Sequence, residues 1–103
     1  MVDLDAASRG QVECILGRYL PGTEVRLAGS RAQGPAKRYA DIDLLVMSDE
    51  PLSPLLRALL NNAFEESSIP FKVDVMEWQS LASSFRARLL LDSVPLAGHV
   101  AAA

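Results

Sequence analysis

Asp41-Ile42-Asp43 opens an apolar run, Leu44 to Met47, ten residues after the dipeptide Gly29-Ser30. Residues two apart in a β-strand share a face. A strand here therefore projects Asp41 and Asp43 side by side. Two carboxylates so placed repel each other unless a cation lies between them, and magnesium takes a few carboxylates together with phosphate oxygens and water. A third carboxylate, Asp74, sits in a later run, Phe71-Lys72-Val73-Asp74-Val75-Met76. Upstream, Gly29 lets the backbone approach a ligand closely, and a Gly-Ser turn can aim N–H groups at phosphates. The three elements in this order point to a site for magnesium and a nucleoside triphosphate.

The 103 residues suit a single domain spanning 1–103, with a core over about 5–96 and a frayed tail over 97–103. Half the residues are hydrophobic and 22% are charged, which fits a globular chain. A net charge of −3 argues against a sequence-independent grip on nucleic acid, which needs many Lys and Arg contacts. It leaves room for one nucleotide, held by local charge and metal. No apolar run approaches a membrane span, and no signal-peptide pattern opens the chain. The single cysteine, Cys14, excludes an internal disulfide and fits a reducing cytoplasm; it reads as a structural thiol.

Val12, Ile15, Leu16 and Tyr19 form one stripe of a helix from about Asp5, stopped by Pro21-Gly22. Glu24 to Ala28 alternates as a strand, and Arg31 to Ala40 reads as a short helical turn followed by a loop. Asp41 to Met47 forms the second strand. Ser53-Pro54 starts a helix as N-cap and first-turn proline. Phe71 to Met76 forms the third strand, with Val73 and Val75 on one face and Asp74 on the other. Ser80 is expected to cap a last helix to about Leu91, with Leu81, Ala82, Phe85 and Leu89 inward, Trp78 beneath, and Leu90 and Leu91 left for a partner or a tightly packed end. Val94-Pro95-Leu96 is extended. The order predicts a small α/β (α+β) domain, a mixed β-sheet packed with helices.

Gly29-Ser30-Arg31-Ala32-Gln33-Gly34, followed by Ala40-Asp41-Ile42-Asp43-Leu44-Leu45-Val46, resembles the signature of the minimal nucleotidyltransferases (MNT) of the DNA polymerase β-like superfamily. The short chain looks most like the MNT antitoxins that pair with HEPN-domain toxins. The resemblance implies the nucleotidyltransferase fold. It also implies that Gly29 and Ser30, with Arg31, hold the phosphates of ATP or another NTP. Asp41 and Asp43 would bind two magnesium ions, and Asp74 would complete the site and help deprotonate the attacking hydroxyl. Two positions depart from the family pattern: Gln33 stands where Arg is usual and Ala40 where Ser is frequent. Ser30 also has an alternative reading as a helix cap alone.

The activity so implied is transfer of a nucleoside monophosphate, AMP from ATP, to a tyrosine of a HEPN toxin. One alternative is a non-catalytic antitoxin that occludes its partner; another is a small-molecule (antibiotic) nucleotidyltransferase, although these usually carry a second domain. The acceptor, the base and any oligomer stay open at this level.

Overall fold

Four helices and four strands alternate along residues 2–97, the part of the chain that the computed structural model describes. Helix α1, Ala6–Tyr19, begins where the Asp5 side chain accepts a hydrogen bond from the Ser8 N–H at 3.0 Å. That bond holds the Asp5 carboxyl below the usual carboxylate range. Strand β1, Val25–Ala28, leads into the single turn α2, Ser30–Gln33, and then β2, Ile42–Val46. Helix α3, Pro54–Glu66, is capped by Ser53, whose hydroxyl accepts from Leu56 N–H at 3.1 Å. Strand β3, Val73–Glu77, a 3₁₀ turn at Trp78–Ser80, helix α4, Ser83–Asp92, and strand β4, Val94–Ala97, complete the described chain.

The strands form one mixed sheet in the order β3-β2-β1-β4. β1 is antiparallel to β2 and to β4, whereas β2 and β3 run parallel, joined by α3 as the crossover. One sheet face carries Val25, Leu27, Ile42, Leu44, Val46 and Val75. These pack with Val12 and Leu16 of α1 and Leu60 and Phe64 of α3 into the main core. The opposite face presents Asp43 and Asp74. Leu45, on that same face, is also fully buried, and α4 meets the sheet at β1. None of the described helices is long and apolar enough to cross a membrane.

Three expectations change. Ser80 does not cap the last helix: it closes the 3₁₀ turn, and its hydroxyl donates back to Glu77 O at 2.9 Å. Leu81 and Ala82 therefore precede α4, Phe85 is 47% exposed, and no residue of α4 is buried. Trp78 does lie against this helix, with the Arg86 guanidinium 5.3 Å from its ring centroid. Ala97, expected in the tail, belongs to β4 and pairs with Val25; residues 98–103 lie outside the described residues. Cys14 is a free thiol exposed on α1.

Truncating Leu60, fully buried on α3, leaves a cavity under the sheet. Leu60→Ala should cost about 2–5 kcal/mol. Leu55→Ala, one turn earlier and 70% exposed, should stay within about 0.5 kcal/mol. Urea unfolding of the two variants checks the contrast.

Candidate active site

Gly29 follows the last residue of β1, and that residue, Ala28, pairs with Asp43 of β2. The glycine has φ +68°, a conformation costly for side chains with a Cβ. A Cβ built there would lie 2.1 Å from Asp43 Oδ2, so the carboxylate occupies the space that any other residue would fill. Gly29 also serves as the N-cap of α2, with no side-chain capping bond; Ser30 is the first helical residue and is exposed, so it is not a capping serine.

On the other side, Asp43 pairs in register with Asp74 of β3. Parallel neighbours lie about 4.7–4.9 Å apart, and residues in register share a face, so both carboxylates stand on the side away from the main core. Val75, next to Asp74, is buried in that core and fixes the strand's orientation. Asp41 sits one residue before β2 and is exposed, which places it at the lip of the site rather than in the ladder.

The electrostatics register this crowding. Burial first, then the charges of Asp74 and Asp41, push the Asp43 carboxyl above its ordinary range, while Lys72 pulls it down. Among the described residues no three His, Cys, Asp or Glu side chains already converge as a closed cage. Magnesium does not need one, because it keeps several waters and uses one or two carboxylates plus phosphate oxygens. Hard oxygen donors that repel one another, beside a glycine cradle a Cβ would fill, suit a divalent cation with a polyphosphate.

Arg31 is not at the phosphates' disposal. Only 4% exposed, it donates Nε–H to Ala40 O at 2.9 Å and Nη1–H to Asp3 O at 2.9 Å, with Nη2 3.4 Å from Arg38 O. Its guanidinium also lies 3.9 Å from the Phe71 ring centroid. The motif implies a place on the nucleotide for Arg31; instead it clamps the loop between α2 and β2. Asp3 completes the clamp, accepting from Ala36 N–H at 2.8 Å and donating its own N–H to Arg31 O at 2.7 Å. Sequence reasoning missed Asp3, which carries no motif and lies 28 residues from Arg31. Gln33 ties α2 to the end of α4, donating to Asp92 O at 2.6 Å.

Two clefts lie beside Ser30 and Asp74. One, of about 670 Å³, runs from Ser30 along the clamped loop past Lys37, Arg38 and the exposed Tyr39. The other, of about 340 Å³, lies between α3 and β3 and includes Asp74, Lys72 and Arg57.

Residues 10–97 match the family described as the nucleotidyltransferase domain. The chain belongs to that family. It is 39% identical over 85 residues to the "Probable protein adenylyltransferase MntA" of Haemophilus influenzae, covering 82% of this chain and 75% of that protein. A solved structure described as a minimal nucleotidyltransferase superposes with a TM-score of 0.71 at 32% identity, over 87% of this chain and 93% of the other. A chain from a mutant MntA–HpeT toxin–antitoxin complex has the same fold, with a TM-score of 0.68 at 19% identity, over 85% of this chain and 70% of its own. Nucleotidyltransferases of this family use a nucleoside triphosphate and a divalent metal.

Opposite stability effects are expected from two substitutions at the same contact. Gly29→Ala should lower Tm, because it strains φ and displaces the Asp43 carboxylate. Asp43→Asn should raise the Tm of metal-free protein near pH 7. Its folded-state pKa is raised, so stability is greatest with the carboxyl protonated and falls as pH rises through the folded value. Thermal melts from pH 4 to 8 in chelator test both. Magnesium binding to the wild type should weaken as pH falls through the same range, which calorimetry reads directly.

Arg31→Met should free the loop over 35–40 and cost about 1–3 kcal/mol, since it strips donors from part-buried carbonyls. Hydrogen exchange at Ala36 and Ala40 should accelerate well beyond the change in α1.

Proposed function

We propose that this nucleotidyltransferase moves AMP from ATP, in the presence of two magnesium ions, to a tyrosine hydroxyl on a HEPN-type toxin, and so acts as the antitoxin. The observation that carries the reading is the in-register pairing of Asp43 with Asp74 next to the glycine whose missing Cβ makes room for Asp43. Its support from relatives is the similarity to a protein named as an adenylyltransferase and to a chain from a toxin–antitoxin complex.

Gly29 and Ser30 would receive the β and γ phosphates, where the backbone can come close. Asp41 and Asp43 would hold the metal ions, with Asp74 as the third carboxylate. When bound, the ions neutralise the triphosphate and favour the ionised acceptor oxygen. Asp74 takes the proton from the tyrosine hydroxyl and passes it to solvent. The tyrosine oxygen forms a bond to the α-phosphorus while the bond to the bridging oxygen of the β-phosphate breaks, and pyrophosphate leaves. Asp43, the most enclosed of the three, fixes the geometry, and Asp74 stands nearest the sheet edge.

In this reading the acceptor is presented by another molecule. Leu91 and Leu90 are 84% and 39% exposed on α4, beside the half-exposed Phe85, and supply an apolar patch for the toxin. The same reading places the chain in the cytoplasm, where the exposed thiol of Cys14 stays reduced.

Intact mass of the toxin after co-expression with this chain decides the chemistry. The wild type should add one or more AMP units. Asp41→Asn, Asp43→Asn and Asp74→Asn should each reduce transfer by on the order of 10²–10³-fold, the loss expected when a few kcal/mol of charge stabilisation disappears. A complex that silences the toxin without any mass gain would replace the transfer reading with occlusion.

A further inference from the structure

Strand order and chemistry together restrict where an acceptor can approach. The phosphate turn at Gly29-Ser30 follows β1, Asp43 lies on β2 and Asp74 on β3, so the site runs across three neighbouring strands toward one side of the sheet. In-line displacement puts the nucleophile and the leaving pyrophosphate on opposite sides of the α-phosphorus. With pyrophosphate at the β1 end, the acceptor hydroxyl comes from the β3 end, over Asp74.

Among the described residues that end is an unpaired sheet edge: β3 pairs with β2 alone, and Ile42 N–H donates to Lys72 O at 2.8 Å. By the alternation of a strand, Lys72 and Asp74 turn their backbone groups toward β2, while Val73 and Val75 turn theirs outward. Val75 O is already taken by Arg57 Nη2 at 3.0 Å. That leaves Val73 N–H, Val73 C=O and Val75 N–H for the outer edge, where Val73 and Val75 line the 340 Å³ cleft between β3 and α3. The cleft and the carboxylate site share Asp74, so a chain lying along this edge already touches the reaction centre. Arg57 is neutralised by its ion pair with Glu77, and Lys72 and Glu65, of opposite charge, both line the cleft. A charge-balanced groove with free backbone donors and acceptors matches a polypeptide backbone rather than a charged small molecule.

We propose that the acceptor docks as an extended segment that adds a strand to the free edge of β3, placing its tyrosine beside Asp74. This inference rests on the transfer reading and specifies how the acceptor is presented. Pairing across a ladder puts opposed residues on one face with Cβ atoms about 4.5–5.5 Å apart. A tyrosine opposite Asp74 thus shares its face, and its ring lies across the strand toward Asp43. Backbone bonds supply the docking and the side chain supplies the chemistry, the division of labour of strand-addition recognition. Because the bonds are to backbone, the edge accepts varied flanking sequences.

The test uses the wild-type chain with magnesium, ATP and a pool of ten-residue peptides, each with a central tyrosine in random flanks, beside free tyrosine amide. Peptides should be labelled at least tenfold faster than the amide. The best peptide is then resynthesised with N-methyl groups on alternate residues in each of the two phases. One phase should lose labelling at least tenfold and the other keep it, because only one set of amides faces β3. Val73→Pro, which removes an outward N–H and leaves the β2 ladder intact, should lower peptide labelling to the rate of the amide while amide labelling holds. Equal labelling by both N-methyl phases, or peptides no better than the amide, overturns strand addition and leaves transfer standing. Labelling of neither peptide nor amide overturns the transfer reading and this inference with it. The N-methyl arm decides the matter even if Val73→Pro fails to fold.

Discussion

A missing Cβ organises this site. Position 29 joins β1 to α2 at a φ that glycine adopts freely, and the space it leaves open is filled by the Asp43 carboxylate. The register of β1 with β2 sets Ala28 against Asp43, and that of β2 with β3 sets Asp43 against Asp74. The turn, the acidic pair and the sheet edge are consequences of one alignment. A shift of one residue in either pairing would turn the carboxylates into the core.

The same alignment sets function against stability. The main core sits on the face carrying Ile42, Leu44 and Val46, where burial is complete and polar groups are few. The opposite face concentrates like charge around a half-buried carboxylate. Hydrophobic contacts on the first face hold the repelling groups of the second in place, which gives a preorganised site that becomes most comfortable when a cation arrives.

Much of this was legible in the sequence because period-two patterning survives folding. Val73, Asp74 and Val75 sort to the faces that their chemistry demands, and Ser53-Pro54 marks the start of α3 to the residue. Two kinds of feature were not legible. The destination of a long side chain depends on what the fold brings near it, so Arg31, in a motif beside phosphate-binding residues, is instead drawn under the loop by carbonyls at positions 3, 38 and 40. The start of α4 depended on a tight turn after β3, where the Ser80 hydroxyl bonds backward to Glu77 O instead of forward to a helix. Leucine spacing alone could not reveal that α4 keeps no buried residue.

The Arg31 clamp carries an evolutionary consequence. Among the described residues its guanidinium meets main-chain oxygens and the Phe71 ring, so side chains at Lys37, Arg38, Tyr39 and Ala40 can drift without loosening the loop they belong to. Asp3 contributes through its side chain, the carboxylate that receives the Ala36 N–H. A rigid backbone with interchangeable side chains, set along a cleft beside Ser30, is a surface on which lineages can diversify contacts while the catalytic frame stays unchanged.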